Sequence, residues 1–334
     1  MPGLTLTSVV TSNPERAAQA RSTHPHAQIL PSTDELFGAA DAHDLVVVAA
    51  PNREHVPLGL AAVEAGLHLV VDKPLAASVA DAQRLVDAAA ARGVVASVFH
   101  NRRWDGDFLT LRRLVSGGAL GELVLVESRF DRWRPEVDPG KWREGGDPED
   151  AGGILFDLGP HLIDQVLELL GPARSVYADV RRLRPGAQVD DDIFLALEHS
   201  SGVRSHLSAT MLAAQPGPRL RVLGSRAGYV KWEVDVQEEA LRAGARPGDP
   251  GFGEDPQESW GLLGTEVDAQ PVETAPGRYV EFYELMERAI RARAGDADAG
   301  GGEAPPVPLE AGIATLRVIE AARASAAQHV VVPL

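Results

Sequence analysis

The chain has no cysteine, a shortage of basic residues and no long apolar run, and each lack removes a class of protein. Without cysteine there is no disulfide framework, zinc knuckle, iron–sulfur cluster or thiol nucleophile. Lys and Arg number 32 against 48 Asp and Glu, a formal net charge of −16, so the electrostatic footprint of a nucleic-acid partner is missing. No apolar run approaches the roughly 18 residues that span a bilayer, so no membrane partner is expected. The opening MPGLTLTSVV has neither the basic region nor the long apolar core of a secretory signal, and a cytoplasmic location is expected. What is present is a chain of 334 residues, 44 % hydrophobic. That is too apolar for disorder, and the length is a prior for two domains of roughly 150 residues each.

Up to about His100, short apolar runs alternate with helical segments. LTLTSVV (4–10) is β-branched and alternating, and the helix after it, over 14–21, takes Asn13 as its N-cap and Pro14 at its first position. HAQIL (26–30) reads as a strand, followed by a short helix capped by Ser32 or Thr33. LVVVAA (45–50) is apolar throughout, as suits a strand covered on both faces. A helix over 55–65 stops at Gly66; HLVVD (68–72), a helix over 78–93 and VVASVF (94–99) follow. This rhythm predicts βαβ units and a Rossmann-like, doubly wound parallel sheet.

After residue 120 the rhythm changes. LVLVESRF (123–130), SVYADVRRL (175–183), DIFLALEHS (192–200), RSHLSATML (204–212) and RLRVLGS (219–225) are longer alternating runs joined by turns. They predict a mostly antiparallel sheet in an α+β second half, interrupted by a helix over 160–170. The region 244–276 reads as long loops. Helices are expected over 279–294 and 309–327, separated by a flexible GDADAGGGEAPP.

Four clusters carry candidate chemistry. Asp72-Lys73-Pro74 ends an apolar strand at the carboxyl edge of the sheet, where open α/β proteins bind ligands. A partly desolvated lysine there can exchange protons with a hydroxyl; alternatively it is a solvated strand end. Asp157, His161 and Asp164 lie in FDLGPHLIDQ, with His161 and Asp164 three apart on one helical face. They suit acid–base work or a one-histidine, two-carboxylate metal site, as in a metal-dependent isomerase; otherwise Asp157 is a cap and His161 packs. The adjacent Arg102 and Arg103 in HNRRW either bind a polar ligand or pair with acids at a domain border. Lys141-Trp142-Arg143 offers an indole beside a guanidinium, for stacking on a ligand or for packing. The G-x-G-x-x-G turn that receives a pyrophosphate is not found; GGALG (117–121) and GFGEDP (251–256) have the wrong spacing.

In order, VVVAAPNREHVPLGLAAVEAGLHLVVDKP (46–74), FHNRRWDGDF (99–108) and GGILFDLGPHLIDQ (152–165) resemble the Gfo/Idh/MocA family of NAD(P)-dependent sugar and polyol oxidoreductases. The resemblance covers essentially the whole chain, with Asp72 standing where the family usually has glutamate. Within the family, HNRRWD, KWRE and QEEALRAGARPGD are most similar to the NADP-dependent scyllo-inositol 2-dehydrogenases. The resemblance implies a dinucleotide-binding domain over 1–102 and a substrate-binding and oligomerisation domain over 103–334. It implies Lys73, Asp157 and His161 as catalytic residues, with His161 taking the hydroxyl proton, Lys73 steadying the alkoxide and Asp157 holding His161 or a neighbouring hydroxyl. Ala50, Pro51, Asn52, His55, Asp72, Lys73 and Asn101 would line the nicotinamide side. Arg103, Trp142 and Arg143 would face the polyol, beside Lys73, Asp157 and His161. A homodimer or homotetramer is implied, with no resident metal.

Cofactor choice has a physical signature. An acid after the second family strand accepts from the ribose 2′-hydroxyl of NAD and repels a 2′-phosphate. Here LTLTSVV is followed by Thr11, Ser12 and Asn13, with Arg16 one turn on, so NADP is expected over NAD. LTLTSVV matches the family's second strand; the first strand, glycine-rich turn and first helix, roughly 30 residues, have no counterpart. The expectation is that Met1 is an internal start of a longer functional protein. A second reading is a family member with impaired catalysis that senses a ligand or binds a partner.

Overall fold

The computed structural model describes residues 3–296, 302 and 304–334, and the predicted flexible stretch GDADAGGGEAPP lies in part outside them. The N-terminal half runs β1 (Ser8–Val10), α1 (Pro14–Thr23), β2 (Gln28–Leu30), α2 (Thr33–Gly38), β3 (Leu45–Val48), α3 (Asn52–Glu64), β4 (His68–Asp72), α4 (Val79–Arg92) and β5 (Ala96–Phe99). Local chemistry sets these boundaries. The Asn13 side chain accepts from Glu15 N and Arg16 N, and Ser32 and Ser78 cap α2 and α4 through their hydroxyls. Gly93 ends α4 in the left-handed region, where a residue without Cβ is unstrained.

Every strand pairing in this half is parallel, but the strands form two sheets, β1-β2 and β3-β4-β5. Among the described residues no strand joins β1 to β3, so each is an edge. The expected strand over 4–10 is accordingly ordered as strand only in its last three residues.

The second half begins with α5 (Gly106–Ser116) and β6 (Leu123–Asp131), then α6 (Ile154–Asp157), α7 (Gly159–Leu170), β7 (Ala173–Arg181), β8 (Asp192–His199), β9 (Arg204–Thr210), β10 (Leu220–Gly224) and β11 (Gly228–Lys231). It closes with α8 (Gln237–Arg242), β12 (Gly261–Gly264), β13 (Gln270–Val272), α9 (Tyr279–Arg293), α10 (Leu309–Gln328) and β14 (Val332–Pro333). Nine strands form one sheet in the order β13-β12-β11-β10-β6-β9-β8-β7-β14, antiparallel except for β6 beside β9. The alternating burial of β8 and β9 is the period-two pattern of a sheet with one covered face.

The region 244–276, read from sequence as loops, contains the hairpin β12-β13. Its strands are short, and Pro271 sits in the outermost one, where a missing N–H costs no ladder bond. Helix α5 was also not foreseen, because a glycine begins it. A Cβ at Gly106 would run into the Ala275 carbonyl, and the Gly106 N–H is held by Asp235 at 2.7 Å.

The core runs without a break through both halves. Helix α10 is the bridge: it packs on α4 and β5 of the first half and on α7 and β7 of the second.

Candidate active site

The carboxyl ends of β4 and β5 meet the start of α7 around a cavity of about 940 Å³. Its lining includes Asp72, Lys73 and Asn101 from the first half, and Asp157 and His161 from the second. Two consecutive glycines place Asp157. A Cβ on Gly152 would strike the Arg143 carbonyl, and Gly153, at φ 92°, passes the Asp190 carboxylate with no room for a side chain. Asp190 then accepts from the Leu155 N–H at 2.7 Å and starts the single turn of α6 that ends in Asp157.

Lys73 is 12 % exposed at its side chain and donates to the main-chain carbonyl of Asp157 at 2.7 Å; its Nζ stands 3.3 Å from Asp157 Oδ1. The same carboxylate has Arg143 at 3.5 Å and Arg132 at 3.7 Å. Burial pushes the Asp157 carboxyl up, but Lys73, Arg143 and Arg132 together outweigh it and hold the group below the usual carboxylate range. Asp157 is therefore ionised across neutral pH.

His161 is 5 % exposed. Burial, then the positive charges of Lys73 and Arg102, push its imidazole well below the usual histidine value. It is neutral at pH 7 and able to accept a proton. Its Nδ1 is buried without a partner, which leaves Nε2 as the ring nitrogen available to the cavity. The edge of the ring meets Phe130 at 6.4 Å between centroids, and Phe130 in turn lies under the guanidinium groups of Arg219 and Arg102 at 4.2 and 4.9 Å. Arg219 is fully buried, 3.3 Å from Asp107 and donating to Gln165 at 2.8 Å. A packed polar layer therefore stands behind the histidine.

The other sequence candidates are dispersed. Asp157 has no hydrogen bond or ion pair to His161 among the described residues; the partner of Asp157 is Lys73. Arg103 does not line the cavity. Its guanidinium grips Asp164 through two bonds at 2.7 and 2.9 Å and Glu168 at 2.7 Å, which is the acid pairing weighed as its alternative. That pairing also takes Asp164 away from His161, and among the described residues no three His, Asp or Glu side chains are grouped to hold a metal ion. Trp142 lies beneath the Arg143 guanidinium at 4.5 Å and outside the lining.

His55 is buried behind the strand ends, its ring nitrogens 2.7 Å from Pro74 O and 3.0 Å from Ala50 O, so it ties the end of β3 to that of β4. The Asn52 amide donates to Asp150 O at 2.9 Å, and Asn52 borders a smaller cleft with Lys73, Pro74 and Asp157. Ala50 and Pro51 precede α3 at the end of β3. Thr11, Ser12, Asn13 and Arg16 sit at the start of α1, away from the cavity lining, with the Asn13 amide committed to capping.

Sequence reasoning missed several lining residues: Arg132 and Arg134, just past β6, Arg184, Asp190, and Tyr279 and Tyr283 on α9. Only Arg132 and Arg134 left a signal, as alternate arginines continuing the β6 pattern.

For a nicotinamide nucleotide the fit is divided. The nicotinamide end is provided for by the unpartnered His161 and by the strand-end residues Asp72, Lys73 and Asn101. No glycine-rich turn to receive a pyrophosphate occurs in the sequence.

Comparison with known proteins places this geometry. Residues 1–100 match the family profile described as "Oxidoreductase family, NAD-binding Rossmann fold", and residues 112–334 match "Oxidoreductase family, C-terminal alpha/beta domain", the two parts of Gfo/Idh/MocA. The chain is similar to oxidoreductase YdgJ of Escherichia coli, 41 % identical over 96 % of this chain and 88 % of that protein. It is also similar to scyllo-inositol 2-dehydrogenase (NADP(+)) IolW of Bacillus subtilis, 34 % identical over 93 % of this chain and 84 % of that protein. A solved oxidoreductase, yvaA of Bacillus subtilis, superposes with a TM-score of 0.89 at 31 % identity, covering 100 % of this chain and 93 % of its own.

Proposed function

The chain belongs to the Gfo/Idh/MocA oxidoreductase family, and on that premise we propose that it moves hydride between a nicotinamide cofactor, NADP in preference to NAD, and a secondary hydroxyl or ketone of an inositol-like polyol or sugar. The observation that carries this reading is the meeting of Lys73 with Asp157 and His161 on one cavity from two segments 84 residues apart. The NADP dependence named for IolW, and Thr11, Ser12 and Arg16 in place of an acid after β1, favour NADP.

In the oxidising direction neutral His161 accepts the hydroxyl proton at Nε2, and burial among cations makes it release that proton readily. The Lys73 ammonium stabilises the developing alkoxide from a position fixed by the Asp157 carbonyl. Ionised Asp157, 3.3 Å from the ammonium, helps to orient it. Bound nicotinamide supplies the hydride acceptor, and the protein supplies orientation and electrostatics. Asp72, which accepts its neighbour's N–H at 2.8 Å, stiffens the lysine's own backbone.

The test follows nicotinamide absorbance while the chain is incubated with NADPH and keto-inositols, and with NADP and inositol isomers or common aldoses. Turnover of a cyclic polyol or sugar is the expected result. Ligand binding without turnover on any of them would favour the sensing alternative.

A further inference from the structure

The charge lining the cavity is badly matched to a neutral polyol. Arg132 and Arg134 leave the end of β6 on a continuing ladder, with their N–H groups bonded to Thr210 O at 2.9 Å and Met211 O at 2.8 Å. Alternate residues of an extended segment share a side, so both arginines line the cavity while Trp133, between them, is 57 % exposed.

Most charges around the cavity are balanced within the fold. Arg184 is held by Asp191 at 2.9 Å and Glu144 at 3.3 Å, Lys141 by Asp138 at 3.0 Å, and Arg102 by Asp105 at 3.1 Å and Glu238 at 2.8 Å. Arg242 pairs with Glu238, and Glu284 stands 3.9 Å from Arg278. Asp190 is turned to the backbone of α6, and burial raises its carboxyl.

What remains is lopsided. Lys73, Arg132 and Arg143 all share Asp157, and Arg134 has no ion pair among the described residues. Burial, then the neighbouring charges of Arg134 and Arg102, weaken the hold of Arg132 on its proton against the pull of Asp157. Asp72, the other carboxylate here, is turned to the Lys73 N–H at 2.8 Å, so four cations, with Arg134 exposed, face two carboxylates, an excess that an anionic ligand would complete. The planar guanidinium fork matches an oxyanion, to which it can donate two parallel hydrogen bonds. A neutral polyol offers only hydroxyls. The candidate 2′-phosphate residues at the start of α1 lie outside this lining, so the cofactor's adenosine end does not account for the excess.

We infer that the substrate is an acidic sugar or polyol whose oxyanion docks on Arg132 and Arg134 while its reacting carbon faces Lys73 and His161. This rests on the oxidoreductase reading above and narrows its substrate class. Carboxylate and phosphate share the required chemistry, and the experiment separates them.

Isothermal calorimetry on the full chain with NADP compares glucose with glucuronate and with glucose 6-phosphate, and steady-state kcat/KM is measured for the same three. At least about tenfold tighter binding of one acidic partner is expected, since a charge-assisted hydrogen bond is worth that much. The preference should shrink as salt rises, and Arg134→Gln should cut it by about tenfold. Glucuronate alone preferred identifies a carboxylate; the sugar phosphate alone identifies a phosphate. Equal binding of neutral and acidic sugars, no binding of either acid, or a preference untouched by Arg134→Gln and Arg132→Gln overturns the inference. Tight acid binding with no turnover on any substrate would keep the oxyanion dock on Arg132 and Arg134 and strike the oxidoreductase reading instead.

Discussion

Lys73 makes its shorter bond not to the Asp157 carboxylate, at 3.3 Å, but to the same residue's main-chain carbonyl, at 2.7 Å. The ammonium is thus positioned by the backbone between α6 and α7 and faced by the opposite charge of the side chain. The two contacts can be separated by mutation. Asp157→Asn keeps the carbonyl and should lower kcat by only about tenfold, whereas Lys73→Ala removes the alkoxide partner and should lower kcat by about 10²- to 10⁴-fold. Both variants should keep the wild-type circular dichroism spectrum. A Lys73→Ala rate within threefold of wild type, roughly 0.65 kcal/mol of barrier, would remove Lys73 from the mechanism.

The pH profile follows from His161. Its value lies well below 6.5, so the proton-accepting form is fully populated at neutral pH. The kcat for polyol oxidation should stay flat as pH falls through 6.5 and drop only where the buried ring takes up a proton. A midpoint at or above 6.5 would assign the base elsewhere.

Stability should respond to pH through the buried acids behind the site. Burial, resisted by Arg102 and reinforced by Asp107 and Asp235, pushes Asp105 up to about 8; burial, against its backbone hydrogen bonds, pushes Asp235 up to about 6. Groups raised above their ordinary value of 3.8 stabilise the fold below that value and lose the contribution as pH rises through 6 and then 8. Tm measured by calorimetry should therefore be higher at the lower end of that window. A Tm rising towards pH 8 would contradict the assignment.

The Arg219 side chain supports Phe130, and through it His161. Arg219→Met strands Asp107 without its cation and should cost about 3 to 5 kcal/mol in urea unfolding. A loss below about 1 kcal/mol would mean that Asp107 finds another partner.

NADP should give the higher kcat/KM. Arg16 lies in the first turn of α1 on the solvent side, where an exposed ion pair is worth at most about 1 kcal/mol, so Arg16→Ala should narrow the NADP-to-NAD ratio by no more than about fivefold. A chain that prefers NAD would refute the reading of Thr11, Ser12 and Arg16.

The fold was legible where the sequence pattern is strong and local. HLVVD became β4 at its predicted bounds, and the apolar stripe over 160–170 became α7, one residue longer at its start. The β12-β13 hairpin was illegible because its strands are three and four residues long and carry glycine and proline. Asp157 and His161 could be picked out because they share one short motif, but the partner of each could not. Arg103 and Asp164 are 61 residues apart, and a sequence does not reveal that a bidentate pair withdraws both from the cavity. Arg134 left only its place in the alternating pattern, for the opposite reason: what marks it is an unmatched charge, which exists only once the other cations have found their acids.

Because α10 is seated at once on α4 and β5 and on α7 and β7, neither half can shed it without baring apolar surface in the other. The protein should consequently melt in a single cooperative transition, with amide exchange in α4 and α7 slowed to the same global limit. A protease that clips the last helix would loosen a strand more than 200 residues upstream, the one that leads to Asn101 at the cavity.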